Sequence, residues 1–102
     1  MNRLGTNKVV SAVRLADSLN RLAHDIRTGN VDDYSSIKLR ATIDRFLAGT
    51  QWRYTRYWTT AGILQLTAET IMIDTANGNP ISAMGRLVAD AVDDYRGEEV
   101  SQ

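Results

Sequence analysis

The stretch of residues 52–76 limits the possible folds of this chain more than any other part of it. Placed at 100° per residue, it carries two apolar stripes on roughly opposite sides of a helix. The broad stripe contains Tyr54, Tyr57, Trp58, Ala61, Leu64, Ala68, Ile71 and Met72, and the second contains Trp52, Ile63, Leu66 and Ile73. A helix that is apolar on two sides needs partners on both. The pattern therefore predicts a long central helix over about residues 52–76.

A β-hairpin is the competing interpretation of the same stretch. Several of its residues are β-branched, which lowers helix propensity, and Ala61-Gly62 could separate two strands. Strict alternation fails at Tyr57-Trp58 and within residues 71–73, whereas the helical stripe persists for about six turns. The helix is therefore the favoured prediction.

A first helix is predicted before this stretch, from a cap at Thr6 or Asn7 to about Thr28. Gly29 can adopt the left-handed conformation that closes a helix, and a turn follows. The apolar side of this helix consists of Val9, Ala12, Leu15, Ala16, Leu19, Leu22, Ala23 and Ile26.

A second, shorter helix is predicted to start at a cap on Asp32 or Asp33 and to end at Ala48. Gly49 is expected to end it in the same way as Gly29 ends the first, and Thr50 is expected to cap the long third helix. The apolar stripe of this second helix is narrow and contains Leu39, Ile43, Phe46 and Leu47.

A fourth helix is predicted from Asn79 and Pro80 to Gly97, because proline suits the first position of a helix. Its apolar arc contains Ile81, Met84, Val88, Ala91, Val92 and Tyr95, and its polar arc contains Arg86, Asp90, Asp93 and Asp94. Residues 98–102 are expected to be a flexible polar tail. The predicted fold is an all-α, four-helix domain over residues 1–97.

Length and composition set the class of protein. A chain of 102 residues forms one domain and buries a modest core. It contains no cysteine, which fits a reducing compartment, and we expect a cytoplasmic protein. The N-terminal region lacks a secretory apolar segment, and the longest uncharged run, residues 57–68, is too short to cross a bilayer. No membrane association is expected.

The charges are unevenly distributed along the chain. Residues 1–56 hold ten Lys and Arg against five Asp, a net charge of +5, and residues 57–102 hold two Arg against seven Asp and Glu, a net charge of −5. This asymmetry indicates either a basic face for an anionic partner or attraction between the two halves, within one chain or between two copies.

Few residues suggest catalysis. The single histidine, His24, is predicted to lie on the surface, and no metalloprotease or nucleotide-binding motif occurs. Asp90, Asp93 and Asp94 share one helical face that is expected to be solvated, while Glu69 is expected to be partly buried beside an arginine. No catalytic residue, cofactor or metal ligand is predicted, and an enzyme is not expected.

The segment of residues 52–58, Trp-Arg-Tyr-Thr-Arg-Tyr-Trp, allows three interpretations. Tyr54, Tyr57 and Trp58 can fill the core with Arg53 and Arg56 at its margin, which is the simplest interpretation. Tryptophan, tyrosine and arginine also anchor protein interfaces. Aromatic residues between arginines can, thirdly, stack single-stranded bases and neutralise phosphates.

The favoured functional prediction is a small interaction or assembly module, a class in which viral and plasmid-encoded proteins are common. It is expected to work through protein contacts and to self-associate, most simply as a dimer, because four short helices hide two stripes poorly. The predicted interface residues are Trp52, Thr59, Ile63, Leu66, Thr70 and Ile73. The alternative is a nucleic-acid-binding protein, with contacts from Arg40, Arg45, Arg53 and Arg56.

Overall fold

The computed structural model describes the backbone of residues 3–101 and the side chains of residues 9–97. This part of the chain is all-α, as predicted, and contains no strand. The helices are α1 (Arg3–Arg27), α2 (Asp33–Leu47), a 3-10 helix (Gln51–Tyr57), α3 (Thr60–Ala76) and α4 (Ala83–Ser101).

The predicted third helix is divided into two elements. Residues 52–57 form the 3-10 helix, and α3 begins only at Thr60, so its predicted start at Trp52 was wrong. The backbone of Trp58 is extended, and Thr59 caps α3 by accepting a hydrogen bond from the Gly62 amide at 2.9 Å. A Cβ on Gly62 would lie 2.8 Å from the Thr59 hydroxyl, so this glycine makes room for the cap rather than for a crossing helix.

Glycine ends α1 as predicted. Gly29 has φ +81°, and the amide of Asn30 donates to the carbonyl of Asp25 at 2.8 Å. This is the pattern in which a left-handed residue lets the chain satisfy the last carbonyl groups of a helix. Gly78, with φ +74°, ends α3 in the same way.

The end of α2 is different from the prediction. Gly49 does not have a positive φ, and the residue before it, Ala48, is right-handed. The hydroxyl of Thr50 donates to the Leu47 carbonyl at 2.8 Å and accepts from the Trp52 amide at 3.1 Å. Thr50 thus pairs with a backbone carbonyl group in the last turn of α2 and also caps the 3-10 helix.

Both predicted ends of the fourth helix were misplaced. Ser82, rather than Asn79 or Pro80, caps α4 by accepting from the Gly85 amide at 3.2 Å, and Gly97 lies within the helix, which continues to Ser101. A glycine inside a helix costs only about 1 kcal/mol, which its neighbours can offset.

The start of α1 was also misplaced. Thr6 and Asn7 lie inside α1, whose first residue is Arg3, so neither is the cap. Their side chains lie outside the described residues. Because this region of the sequence contains no proline, nothing in it interrupts the backbone hydrogen bonds of a helix.

The core forms where α1 packs along α3, α2 packs on α4, and α4 also contacts α3. The predicted apolar faces of α2 and α4 are buried. The second apolar stripe is not buried as a whole, because Ile63 is buried and Leu66 is half-buried whereas Ile73 is exposed. Within the described residues, α3 packs mainly against α1 and only slightly against α2. Fully buried core residues include Leu19, Leu39, Ile43, Ile63, Leu64, Ala68, Ile71, Val88 and Ala91.

Small residues of α1 and α3 are buried in the core. Ala12, Ala16 and Ala23 of α1 and Ala61 and Ala68 of α3 are all buried in this core. Alanine side chains let two helix axes approach closely, so the contact between α1 and α3 extends over much of their length. No helix in the described part of the chain has the length and apolar character needed to cross a membrane.

The cap of α2 gives a testable pH dependence. Asp32 accepts a hydrogen bond from the Ser35 amide at 2.7 Å, and this bond lowers the pKa of the Asp32 carboxyl below its ordinary value of 3.8. A lowered pKa in the folded state stabilises the protein above the unfolded-state pKa, and this contribution disappears as the pH falls through the folded-state pKa. We expect Asp32→Asn to lower the urea midpoint at pH 7, with the difference from the parent chain shrinking as the pH falls below the ordinary carboxyl pKa of 3.8 and through the lower folded-state pKa. A difference that stays constant with pH would contradict the assignment.

Candidate binding surface

The 3-10 helix arranges residues 52–57 in three lines. A 3-10 helix has three residues per turn, so residues three apart lie one above the other. The lines are Trp52 with Thr55, Arg53 with Arg56, and Tyr54 with Tyr57. The sequence repeats with the same period of three, and this signal was missed when the segment was placed at 100° per residue.

The line of Trp52 and Thr55 faces the protein. Thr55 is buried, and its hydroxyl donates to the Trp52 carbonyl at 2.7 Å. Trp52 is half-buried and packs against the core, while the amide of Trp58 closes the helix by donating to the Thr55 carbonyl at 2.9 Å. Hydroxyl-to-carbonyl bonds of this kind compete with regular α-helix formation.

Arg40 of α2 holds the end of the 3-10 helix. Its guanidinium donates to the Thr55 carbonyl at 2.9 Å and to the Trp58 carbonyl, and its Nε donates to Asp44 at 3.0 Å. The Arg40 side chain is only 17% exposed. A planar fork with several donors suits this task, because one side chain satisfies two carbonyl groups and a carboxylate together.

The other two lines point outward, together with Trp58. Tyr57 is 78% exposed, Tyr54 is 55% exposed and Trp58 is 46% exposed, while Arg53 and Arg56 are also exposed. The interpretation that these three aromatic residues fill the core was therefore wrong. We call these five residues the Arg/Tyr surface.

The two arginines of this surface keep their charges available. The Arg56 guanidinium donates to the Tyr57 hydroxyl at 2.9 Å and lies 4.9 Å from its ring centroid, and this hydrogen bond raises the pKa of Arg56. Arg53 donates to the Thr50 carbonyl at 3.4 Å. Among the side chains of residues 9–97, neither arginine forms an ion pair with a carboxylate. The surface is therefore aromatic and positively charged.

The predicted interface residues do not form one exposed face. Thr59 and Ile73 are exposed, Trp52, Leu66 and Thr70 are half-buried, and Ile63 is buried. Ile63 has 0% exposure within one chain, so its side chain has no area left for a partner in this fold. Ile73, at 60% exposure, is the large apolar member of the set that a partner could reach.

The predicted nucleic-acid contacts separate into two groups. Arg53 and Arg56 belong to the Arg/Tyr surface, and Arg40 lies behind it as the residue that holds the backbone. Arg45 is on another side of α2, where it pairs with Asp94 of α4 at 3.1 Å. This ion pair joins the basic and acidic halves of the sequence within one chain.

The remaining titratable candidates are dispersed. Glu69 is exposed and accepts a hydrogen bond from Gln65 at 3.5 Å, so the expectation of a partly buried carboxylate was wrong. His24, Asp90 and Asp93 are exposed as predicted. Among the side chains of residues 9–97, no three His, Asp or Glu are grouped so that they could hold a metal ion.

Comparison with protein-family models, curated proteins and solved structures gave no match to this chain. The Arg/Tyr surface is therefore interpreted from its own chemistry. Its exposed rings, guanidinium groups and fixed backbone suit the binding of a partner.

Proposed function

We propose that this protein is a small, non-catalytic interaction module that binds another protein through the Arg/Tyr surface. The observation that carries the proposal is the exposure of Tyr54, Tyr57 and Trp58 beside two arginines. These three residue types dominate the binding energy of known protein interfaces. We further propose that the module self-associates and that it acts in the reducing environment of a cytoplasm.

The rigid support of the surface favours binding. Thr55 and Arg40 fix the backbone of the 3-10 helix from the inner side, so the outer rings are presented on a short, ordered element. Tyrosine has only two side-chain torsions, and ordering it at an interface costs little conformational entropy. A prearranged surface loses less free energy on binding than a flexible loop does.

A single-stranded nucleic acid is the second candidate partner. Arg53 and Arg56 lack carboxylate partners in residues 9–97, and exposed aromatic rings lie next to them. Rings of this kind stack on bases, with about 1–3 kcal/mol per stacked base, while arginines contact phosphates. Such binding would weaken steeply with added salt.

A photo-crosslinking amino acid at position 57 tests the proposal. In cells of the native host, we expect covalent adducts with a protein, because Tyr57 is the most exposed aromatic residue of the surface. The same amino acid at His24, which is exposed on α1, serves as the control and should not give that adduct.

Charge reversal gives the matched control. Arg53→Glu with Arg56→Glu should abolish the adduct at position 57, whereas Arg14→Glu with Arg27→Glu, a change of equal charge on α1, should not. Adducts that disappear on nuclease treatment would support the nucleic-acid alternative, and adducts equal in amount at both positions would refute a specific surface.

A further inference from the structure

We infer that the partner is a second copy of this chain, docked through the exposed face of α2 in a two-fold symmetric dimer. This inference rests on the proposed function, because it names the partner for that binding role. It is supported by an uncovered apolar face on α2 and by opposite charges on the two flanks of that face.

The apolar face of α2 lies opposite its core stripe. Tyr34 is 73% exposed and Ile37 is 68% exposed, and Ala41, one turn further along the same side, is exposed as well. The amine of Lys38 lies 5.7 Å from the Tyr34 ring centroid. Large apolar side chains that share an exposed helical face mark a contact site for another protein.

The arginine line of the Arg/Tyr surface forms the basic flank. Arg40 and Asp44 lie on one edge of the α2 face, where Arg40 holds the 3-10 helix. Because Arg40 binds the Thr55 carbonyl, the 3-10 helix lies beside this edge of α2, and it carries the exposed side chains of Arg53 and Arg56.

The acidic face of α4 forms the other flank. Arg45, on the opposite edge of the α2 face, pairs with Asp94 of α4 at 3.1 Å. Asp90 and Asp93 are exposed on that side of α4, and neither forms an ion pair with any side chain of residues 9–97. Because Asp94 is paired with Arg45, the two carboxylates of Asp90 and Asp93 and the guanidinium of Arg86 leave a net charge of −1 on this face.

A two-fold axis parallel to α2 brings these features together. It places the apolar face of α2 against the same face of the second copy, and it places each basic flank opposite an acidic flank. In a two-fold interface every contact occurs twice, so both charge contacts form in one dimer. Arg53 and Arg56 are separated by about 6 Å along the axis of the 3-10 helix. Asp90 and Asp93 are separated by about 4.5 Å along the axis of α4, so the spacing of the two arginines is similar to that of the two aspartates.

The size of the face suits a weak dimer. The 15 residues of α2 span roughly 22 Å. The 3-10 helix, α2 and α4, with axes about 9 Å apart, together have a width of roughly 28 Å. This width multiplied by the length of α2 gives a contact area of about 600 Å² on each copy. Specific interfaces bury about 800 Å² per partner on average, so this dimer should dissociate on dilution.

Light scattering with reciprocal charge variants tests the dimer. At high micromolar concentration, the parent chain should show twice the 11.3 kDa mass of one chain. Arg53→Glu with Arg56→Glu gives two acidic flanks, and Asp90→Arg with Asp93→Arg gives two basic flanks, so each variant alone should be monomeric. An equimolar mixture of the two variants should recover the dimer, because every flank contact again joins opposite charges.

The central contact has its own matched control. Ile37→Glu should give a monomer with unchanged helix content, whereas Val10→Glu, on the exposed side of α1, should leave the dimer intact. The inference is overturned by a monomeric parent chain, by a dimer that survives Ile37→Glu, by a mixture that stays monomeric, or by a mass that grows beyond two copies. If the parent chain is monomeric and the crosslinker at position 57 captures a different protein, this inference and the proposed self-association both fail, while the proposed binding through the Arg/Tyr surface stands.

Discussion

Ile63→Asp is expected to unfold most of the protein at room temperature. Ile63 is completely buried in the core between α3 and its neighbours, where a carboxylate has neither water nor a cation. Burying an unpaired charge costs several kcal/mol, and a domain of this size is stable by only about 5–15 kcal/mol. The sequence pattern predicted that Ile63 contacts a second copy. Because Ile63 is completely buried within one chain, the substitution is expected to lower the stability of that single chain.

Ile73→Asp is the matched control for this prediction. It introduces the same charge into the same helix, at a position that is 60% exposed, and we expect a change of less than about 0.5 kcal/mol. Circular dichroism and urea unfolding measure both variants. A folded Ile63→Asp chain, or two variants of equal stability, would contradict the placement of α3 against α1.

Arg40→Met is expected to lower the free energy of unfolding by about 1.5–3 kcal/mol, because it removes the charge-assisted hydrogen bonds that the guanidinium donates to two backbone carbonyl groups. The carbonyl groups concerned belong to Thr55 and Trp58. Methionine retains the apolar stem of the side chain, so the loss reports mainly on the guanidinium. Arg45→Met removes an ion pair that is more than half exposed on the arginine side, and it should cost less than about 1 kcal/mol.

A second measurement identifies which part of the structure Arg40→Met disturbs. Tryptophan fluorescence should change in Arg40→Met, since Trp52 and Trp58 flank the Thr55 carbonyl that Arg40 binds, and it should not change in Arg45→Met. Arg40→Lys should recover less than half of the stability, because a single ammonium cannot reproduce the planar fork. If Arg40→Lys kept the full stability of the parent chain, the positive charge alone would be enough to hold the 3-10 helix against α2.

Much of the fold was predictable because local signals coincide with burial. α4 buries Val88, Ala91 and Val92 and exposes Asp90 and Asp93, as its periodicity predicted. The first and third helices end at glycines whose left-handed backbone the turn requires. Where the apolar periodicity agrees with burial, as in α4, one sequence contains enough information to identify the helix, although not its end residues.

The start of α3 could not be predicted from the apolar stripe, because the aromatic residues before it have the right spacing but the wrong environment. The backbone of Trp58 is extended, and the carbonyl groups of Thr55 and Trp58 bind Arg40, which lies 15 and 18 residues earlier in the chain. Such a long-range contact leaves no periodic trace in the sequence. For the same reason, the Arg/Tyr surface was identified as a motif, but its exposure was not.

The two threonines that bracket the 3-10 helix have an evolutionary consequence. Thr50 caps this element and Thr59 caps α3, each through its own hydroxyl, so neither boundary depends on the side chains between them. Natural selection can therefore exchange the outward residues for others, provided that Thr55 and Arg40 are retained. The backbone of the 3-10 helix and the four α-helices around it can then stay unchanged while the outward side chains vary.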